Sequence, residues 1–279
     1  MFRFSKSMGT MRWLAYLAFV AWPIATLATQ RPMPGELERY KKDGTLAERI
    51  QKVTAIGNHE VDPALAWKVK QRLMKEAGKT DAEIAQAMTL APPPDRQGGL
   101  PAFGTPKAVV ILIDFSDYPH DTIQTTTVVN DKFFVDGNLA DAPYESLRNF
   151  YQRSSYNQLT IQGNVLGWYR AAYVRSHYTG DAGREELIME AFNYYNPTHN
   201  FAQYDNDGNG TIDAFYIKWT GPDTGWGSMW WAYRTDWYVN PGFRVDGKSL
   251  FKYVWSWISN PEHLAYNVHV DIHETGHLL

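Results

Sequence analysis

His273-Glu274-Thr275-Gly276-His277 stands two residues before Leu279 and decides how the rest of the sequence is read. On a helix, positions four apart lie on the same face, so His273 and His277 can offer their imidazoles to one metal ion. Glu274, next to the first histidine, cannot share that ligand position. It can reach a water in the ion's open coordination site and serve as its general base. This is the H-E-x-x-H logic by which one helix supplies two zinc ligands and a general base for hydrolysis. The competing reading is a pair of ordinary surface histidines beside a surface glutamate. Val268, Val270, Ile272, Leu278 and Leu279 argue against it, because polar groups set in an apolar segment need a partner to be buried. A zinc centre also calls for a third protein ligand, which in the common forms of the motif lies downstream. The expectation is therefore a polypeptide truncated within its active-site helix, incomplete and inactive as written.

Moving outward, the stretch before this helix is rich in tryptophan: Trp226, Trp230, Trp231, Trp237, Trp255 and Trp257. Gly221, Gly225, Gly227, Gly242 and Gly247 punctuate it. Core and loop packing is the favoured reading; walls of a substrate cleft are the other. Further upstream, Asp205-Asn206-Asp207-Gly208-Asn209-Gly210-Thr211-Ile212-Asp213 places oxygen side chains at alternate positions with glycine sixth. A short loop wraps a hard cation in this way. Asp205, Asp207, Asn209 and Asp213 are candidate calcium ligands through their side chains, and Thr211 through its carbonyl. Position twelve is Tyr216 instead of glutamate, and Ala214–Trp219 reads as a strand, so the loop departs from an EF-hand. An Asx-rich turn without an ion is the alternative.

The remaining pattern is that of an α+β domain. Ala108–Ile113 is a continuous aliphatic run, read as a strand buried on both faces and ending at Asp114. Carboxylates there either bind metal or cap the following loop, and capping is the favoured role. Residues 144–153 and Arg184–Tyr195 read as helices, and Leu159–Val165 as a half-exposed strand. Between residues 30 and 100, helical patterns run over Leu46–Val53 and Pro63–Ala77, with Asp62 as N-cap, and a third begins near Asp81. Ala91–Gly99, with three prolines and two glycines, is linker chemistry. Residues 1–28 carry the basic start, short apolar run and small residues of a secretory signal, with cleavage expected after Ala28. Residues 29–100 are then expected to be a small helical propeptide with its linker, and 101–279 a metallopeptidase domain. An accessory helical domain is the alternative for 29–100.

An exported protein of this composition cannot use disulfides. The 279 residues contain no cysteine, so bound cations are the available staple in place of disulfides. A net charge of −3 without a basic cluster argues against a nucleic-acid footprint. No stable membrane association is expected once the signal is removed.

In their order along the sequence, four stretches resemble the immune inhibitor A family of secreted metallopeptidases: Ala108–Asp117, Leu147–Tyr169, Tyr204–Ile217 and the terminal HETGH. The resemblance implies a metzincin-like zincin domain, a twisted mixed sheet flanked by helices with the active-site helix under the cleft. It also implies zinc held by two histidines and an acidic third ligand in the pattern HExxHxxGxxD. Of that pattern His273, Glu274 and His277 are matched. The expected function is a secreted zinc endopeptidase acting on protein or peptide substrates, with Zn2+ at the site and Ca2+ in the loop. A calcium-stabilised extracellular binding module without catalysis is the competing function.

Overall fold

The structure is a computed structural model that describes residues 32, 34–57, 63–87, 99–259 and 268–279. The signal, Asp62 and the proline triplet lie outside the described residues. The elements follow in the order α1 (Glu36–Lys42), α2 (Leu46–Ile56), α3 (Pro63–Glu76), α4 (Asp81–Ala87), β1 (Lys107–Asp114), α5 (Thr126–Phe133) and α6 (Leu147–Ser154). Then come β2 (Gln162–Arg170), α7 (Gly180–Tyr195), β3 (Thr211–Thr220), β4 (Tyr233–Asp236), β5 (Ser249–Ser259) and α8 (His269–Gly276).

The five strands form one mixed sheet in the order β2-β1-β3-β5-β4. β2, β1, β3 and β5 run parallel, and the short edge strand β4 is antiparallel to β5. A parallel sheet must be covered on both faces, and β1 accordingly is buried from Ala108 to Asp114. Alternate residues of each strand feed two separate cores. Val109, Ile111, Ile113, Phe215, Ile217, Trp219, Tyr253 and Trp255 pack with Leu187, Ile188, Ala191 and Phe192 of α7. On the opposite face Ala108, Val110, Leu112, Tyr216 and Val254 pack with Val129 and Phe133 of α5, Leu147 of α6 and Ile272 of α8.

The tryptophans of the aromatic stretch all join the α7-side core or pack against it. They pack on the sheet face opposite to α8, as the packing reading expects. Two strands, β4 and β5, lie hidden in that stretch. β5 is buried on both faces over most of its length, so it shows no alternation to read. β2 runs from Gln162 to Arg170, later than the expected Leu159–Val165, because its register starts at the Lys107↔Gln162 pair. β3 takes in Thr211–Asp213 because Thr211 already pairs with Ser249 of β5. Helix α5, absent from the sequence reading, is capped by Thr125, whose hydroxyl accepts from the Val128 amide.

Helices α1 and α2 dock on the α7 side. Tyr40 is 1% exposed, and Arg49 donates to the Trp226 carbonyl at 2.6 Å. Val53 enters the α7-side core. The approach requires glycine at 225 (φ +97°), since a Cβ there would run into the Tyr40 hydroxyl. At the end of β1, Asp114 holds its loop as expected for a capping carboxylate. It accepts from the His120 amide at 3.0 Å and from Arg170 at 2.6 and 2.7 Å. Burial raises its pKa, but the bonds from Arg170 and His120 outweigh this and hold it below the ordinary carboxylate value.

Candidate active site and metal centres

Helix α8 has only eight residues, too few to persist without tertiary support. Its support is partly apolar and partly polar. Val268, Asp271, Ile272, Thr275 and Leu278 form the inner face, each at most 4% exposed. His269 and His273 lie on the outer face, and His277 is half-buried. The rings of His273 and His277 stand 5.3 Å apart between centroids. Partial desolvation, then the neighbouring His269, lowers the pKa of His273 below the usual imidazole value. A neutral imidazole is the form that ligates a metal.

Glu274 is fully buried, and its Oε2 accepts the Arg234 amide of β4 at 2.8 Å. The edge strand therefore orients this carboxylate. Three further contacts pin the helix. The Tyr151 hydroxyl donates to the Ile272 carbonyl at 2.7 Å, and Tyr216 and Thr275 share a hydroxyl–hydroxyl bond of 2.7 Å. Deepest of all, Lys218 of β3 places its ammonium 2.9 Å from both carboxylate oxygens of Asp271. Ser256 of β5 bonds both partners, at 2.7 Å from Lys218 Nζ and 2.9 Å from Asp271. The sequence reading passed over Lys218, Asp271 and His269. A lysine inside the apolar run Ala214–Trp219 was the available signal, because a buried cation needs a buried anion.

The donor chemistry fits zinc: two imidazoles one turn apart, the His273 pKa lowered by burial, beside an oriented carboxylate. Among the described residues, no third His, Cys, Asp or Glu completes a set with them; Asp205, Asp207 and Asp213 make up the group of three that could hold an ion.

In that group one ligand atom from each residue lies within 4.8 Å of the others. Asp213 is 1% exposed, and the Asp205 side chain 2%. Oδ1 of each is buried without a hydrogen-bond partner among the described residues. The second oxygens are occupied: Asp205 by Lys248 at 2.7 Å and the Gly210 amide at 3.0 Å, Asp213 by the Asn206 amide and side chain at 2.7 and 2.9 Å. Burial pushes the Asp213 pKa up to about 6, with Asp207 and Asp205 adding to it and the Asn206 bonds opposing. Two orphaned carboxylate oxygens in one loop fit a hard cation. Asn209 and Thr211 instead close the loop on itself, the Thr211 amide donating to Asn209 Oδ1 at 2.9 Å. Asn206, also missed in the sequence, ties the loop to both the amide and the carbonyl of Lys107 at the start of β1.

Residues 101–214 match the catalytic domain of immune inhibitor A, peptidase M6, and the family resemblance read from the sequence is borne out there. That class is a metallopeptidase class, and the matched segment includes the cation loop but ends before α8. Among curated proteins, this one is similar to the pre-pro-metalloprotease PrtV of two Vibrio cholerae serotype O1 strains. Identity is 30% over 126 residues, spanning 36% of the present sequence and 14% of the relative's length. No described helix is long and apolar enough to cross a membrane.

Proposed function

We propose that this protein holds the catalytic domain of a secreted zinc endopeptidase with a metzincin-like arrangement. The observation that carries the reading is α8, which places the exposed His273 and the half-buried His277 one turn apart while β4 holds Glu274. His273 and His277 are the zinc ligands; zinc held there would polarise a scissile carbonyl and acidify the attacking water. Glu274 takes the proton of that water and passes it to the leaving nitrogen. Its bond from the Arg234 amide fixes the carboxylate so that little reorganisation accompanies the transfer. Asp205, Asp207 and Asp213 are the carboxylates of the calcium site; Asn209 would join them only by giving up its bond from the Thr211 amide. The test is zinc content of the protein expressed from its own gene: His273→Ala and His277→Ala are each expected to lose the metal and peptide hydrolysis. Full zinc retention in both variants would place the ion elsewhere and end this reading.

The name of the relative, a pre-pro-metalloprotease, suits residues 1–28 as a leader and 29–100 as a pro-segment. Limited proteolysis is expected to cut first between Pro92 and Gly99, upstream of the point where the Leu100 amide is held by the Leu278 carbonyl at 2.8 Å. That cut should raise activity. An unchanged or lower rate after quantitative cleavage would mark residues 29–100 as a structural arm.

A further inference from the structure

The Lys218–Asp271 pair has no part in the chemistry proposed above, yet it lies wholly inside the protein, at 1% and 0% exposure. It joins the central strand of the sheet to the inner face of the helix bearing the two histidines. Tyr216 and Lys218 are two apart on β3, so their side chains leave the same face about 7 Å apart. Asp271 and Thr275 are four apart on α8, which sets them about 6 Å apart along the helix axis. These spacings match, and both bonds form: Lys218 to Asp271, and Tyr216 to Thr275. The register of β3 with β5 puts Ser256 directly beside Lys218, where it bonds both members of the pair.

A helix seated only by aliphatic side chains can turn or slide with small loss, because apolar contact is non-directional. A two-point polar attachment cannot. Turning α8 by one residue, or shifting it by one, breaks both bonds and pulls a buried lysine and a buried aspartate apart. His273 lies two residues after Asp271, on the opposite face, so whatever fixes Asp271 fixes the direction in which His273 emerges.

We infer that Lys218, Asp271 and Ser256 are positioning residues that set the rotation of α8, so that His273 is exposed with the half-buried His277 beside it one turn on, as a metal-binding pair. The role in metal binding rests on the zinc reading above; the rotation itself does not. Replacing a buried ion pair by apolar residues of similar volume commonly leaves stability intact. The double variant Lys218→Met/Asp271→Leu therefore separates orientation from folding. It is expected to melt close to the wild-type temperature, yet to bind Zn2+ at least tenfold more weakly in competition with a chromogenic chelator. In the metal-free protein, diethyl pyrocarbonate should label His273 faster than His277 in the wild type, and the double variant should lose that ratio. A double variant with wild-type melting, zinc affinity and labelling overturns the proposal. If the wild type itself takes up no Zn2+, the zinc reading falls, and the labelling ratio alone decides the positioning role. Should the double variant not fold, Ser256→Ala removes one bond to each partner without stranding a charge. The same two readouts then apply, with a drop in zinc affinity of about threefold expected and an unchanged affinity and ratio counting against the role.

Discussion

Glu274→Gln is expected to lower peptide hydrolysis by roughly 10²- to 10⁴-fold while zinc content stays at the wild-type level. Glutamine keeps the volume of the side chain, and its carbonyl oxygen can still accept the Arg234 amide, so the link between α8 and β4 survives. What is lost is a group able to take a proton. A loss confined to kcat, with KM near its wild-type value, is the signature of a group that acts in the transition state and not in binding. The measurement is casein or peptide turnover beside metal content for the protein expressed from its own gene. Retained turnover in the variant would remove Glu274 from the chemistry. Loss of both metal and turnover would make it a structural residue of the helix.

The second large effect concerns the cation loop. Chelation with EGTA is expected to lower the melting temperature by roughly 5–10 °C. The basis is that a ligand at a hundredfold excess over its Kd stabilises by about 2.7 kcal/mol, and that 1 kcal/mol moves Tm by about 2–4 °C in domains of this size. The increment should depend on pH. Asp213 must be ionised to bind calcium, and in the empty fold its pKa lies at about 6, above the ordinary value of 3.8. As pH falls through 6, protons displace the ion and the calcium increment shrinks. The metal-free protein behaves in the opposite sense: its ionised Asp213 is a cost to folding at pH 7 that is relieved on acidification. Asp213→Asn should therefore raise the metal-free Tm while abolishing the response to calcium. Differential scanning calorimetry at pH 7.5 and 5.0, with and without calcium, checks all three statements. An identical response to calcium at both pH values would exclude Asp213 as a ligand.

Legibility in the sequence follows periodicity and motif. β1 is readable because six aliphatic residues in a row suit little but a strand covered on both faces. The acidic loop stands out by its alternating oxygens and glycine, and the structure brings Asp205, Asp207 and Asp213 of it together. β4 and β5 are not, because aromatic residues serve loops and strands alike, and β5 carries no alternation when both faces are buried. At the candidate site, the three positions His273, Glu274 and His277 come directly from their spacing. Their supports do not. Lys218 and Asp271 are 53 positions apart, and Arg234 acts through its backbone amide, which no side-chain pattern records. Asp213 is legible as a candidate ligand, but its raised pKa comes from burial within β3, against the opposing bonds from Asn206, and both are products of tertiary structure.

The sheet divides the interior into two cores that share strand backbones but few side chains. Free-energy changes on the two sides should therefore add. A cavity cut at Phe192 on the α7 side and one cut at Ile272 on the α8 side should sum to within about 0.3–0.5 kcal/mol in the double variant. The same separation bears on the N-terminal helices. α1 and α2 rest on the α7 side, so detaching them alters a surface opposite to the one α8 packs on. Among the described residues, a signal from that event reaches the histidine pair through the strands or through the amide–carbonyl bond between Leu100 and Leu278. The packing of the far side can accordingly be reworked without disturbing the side chains that seat α8.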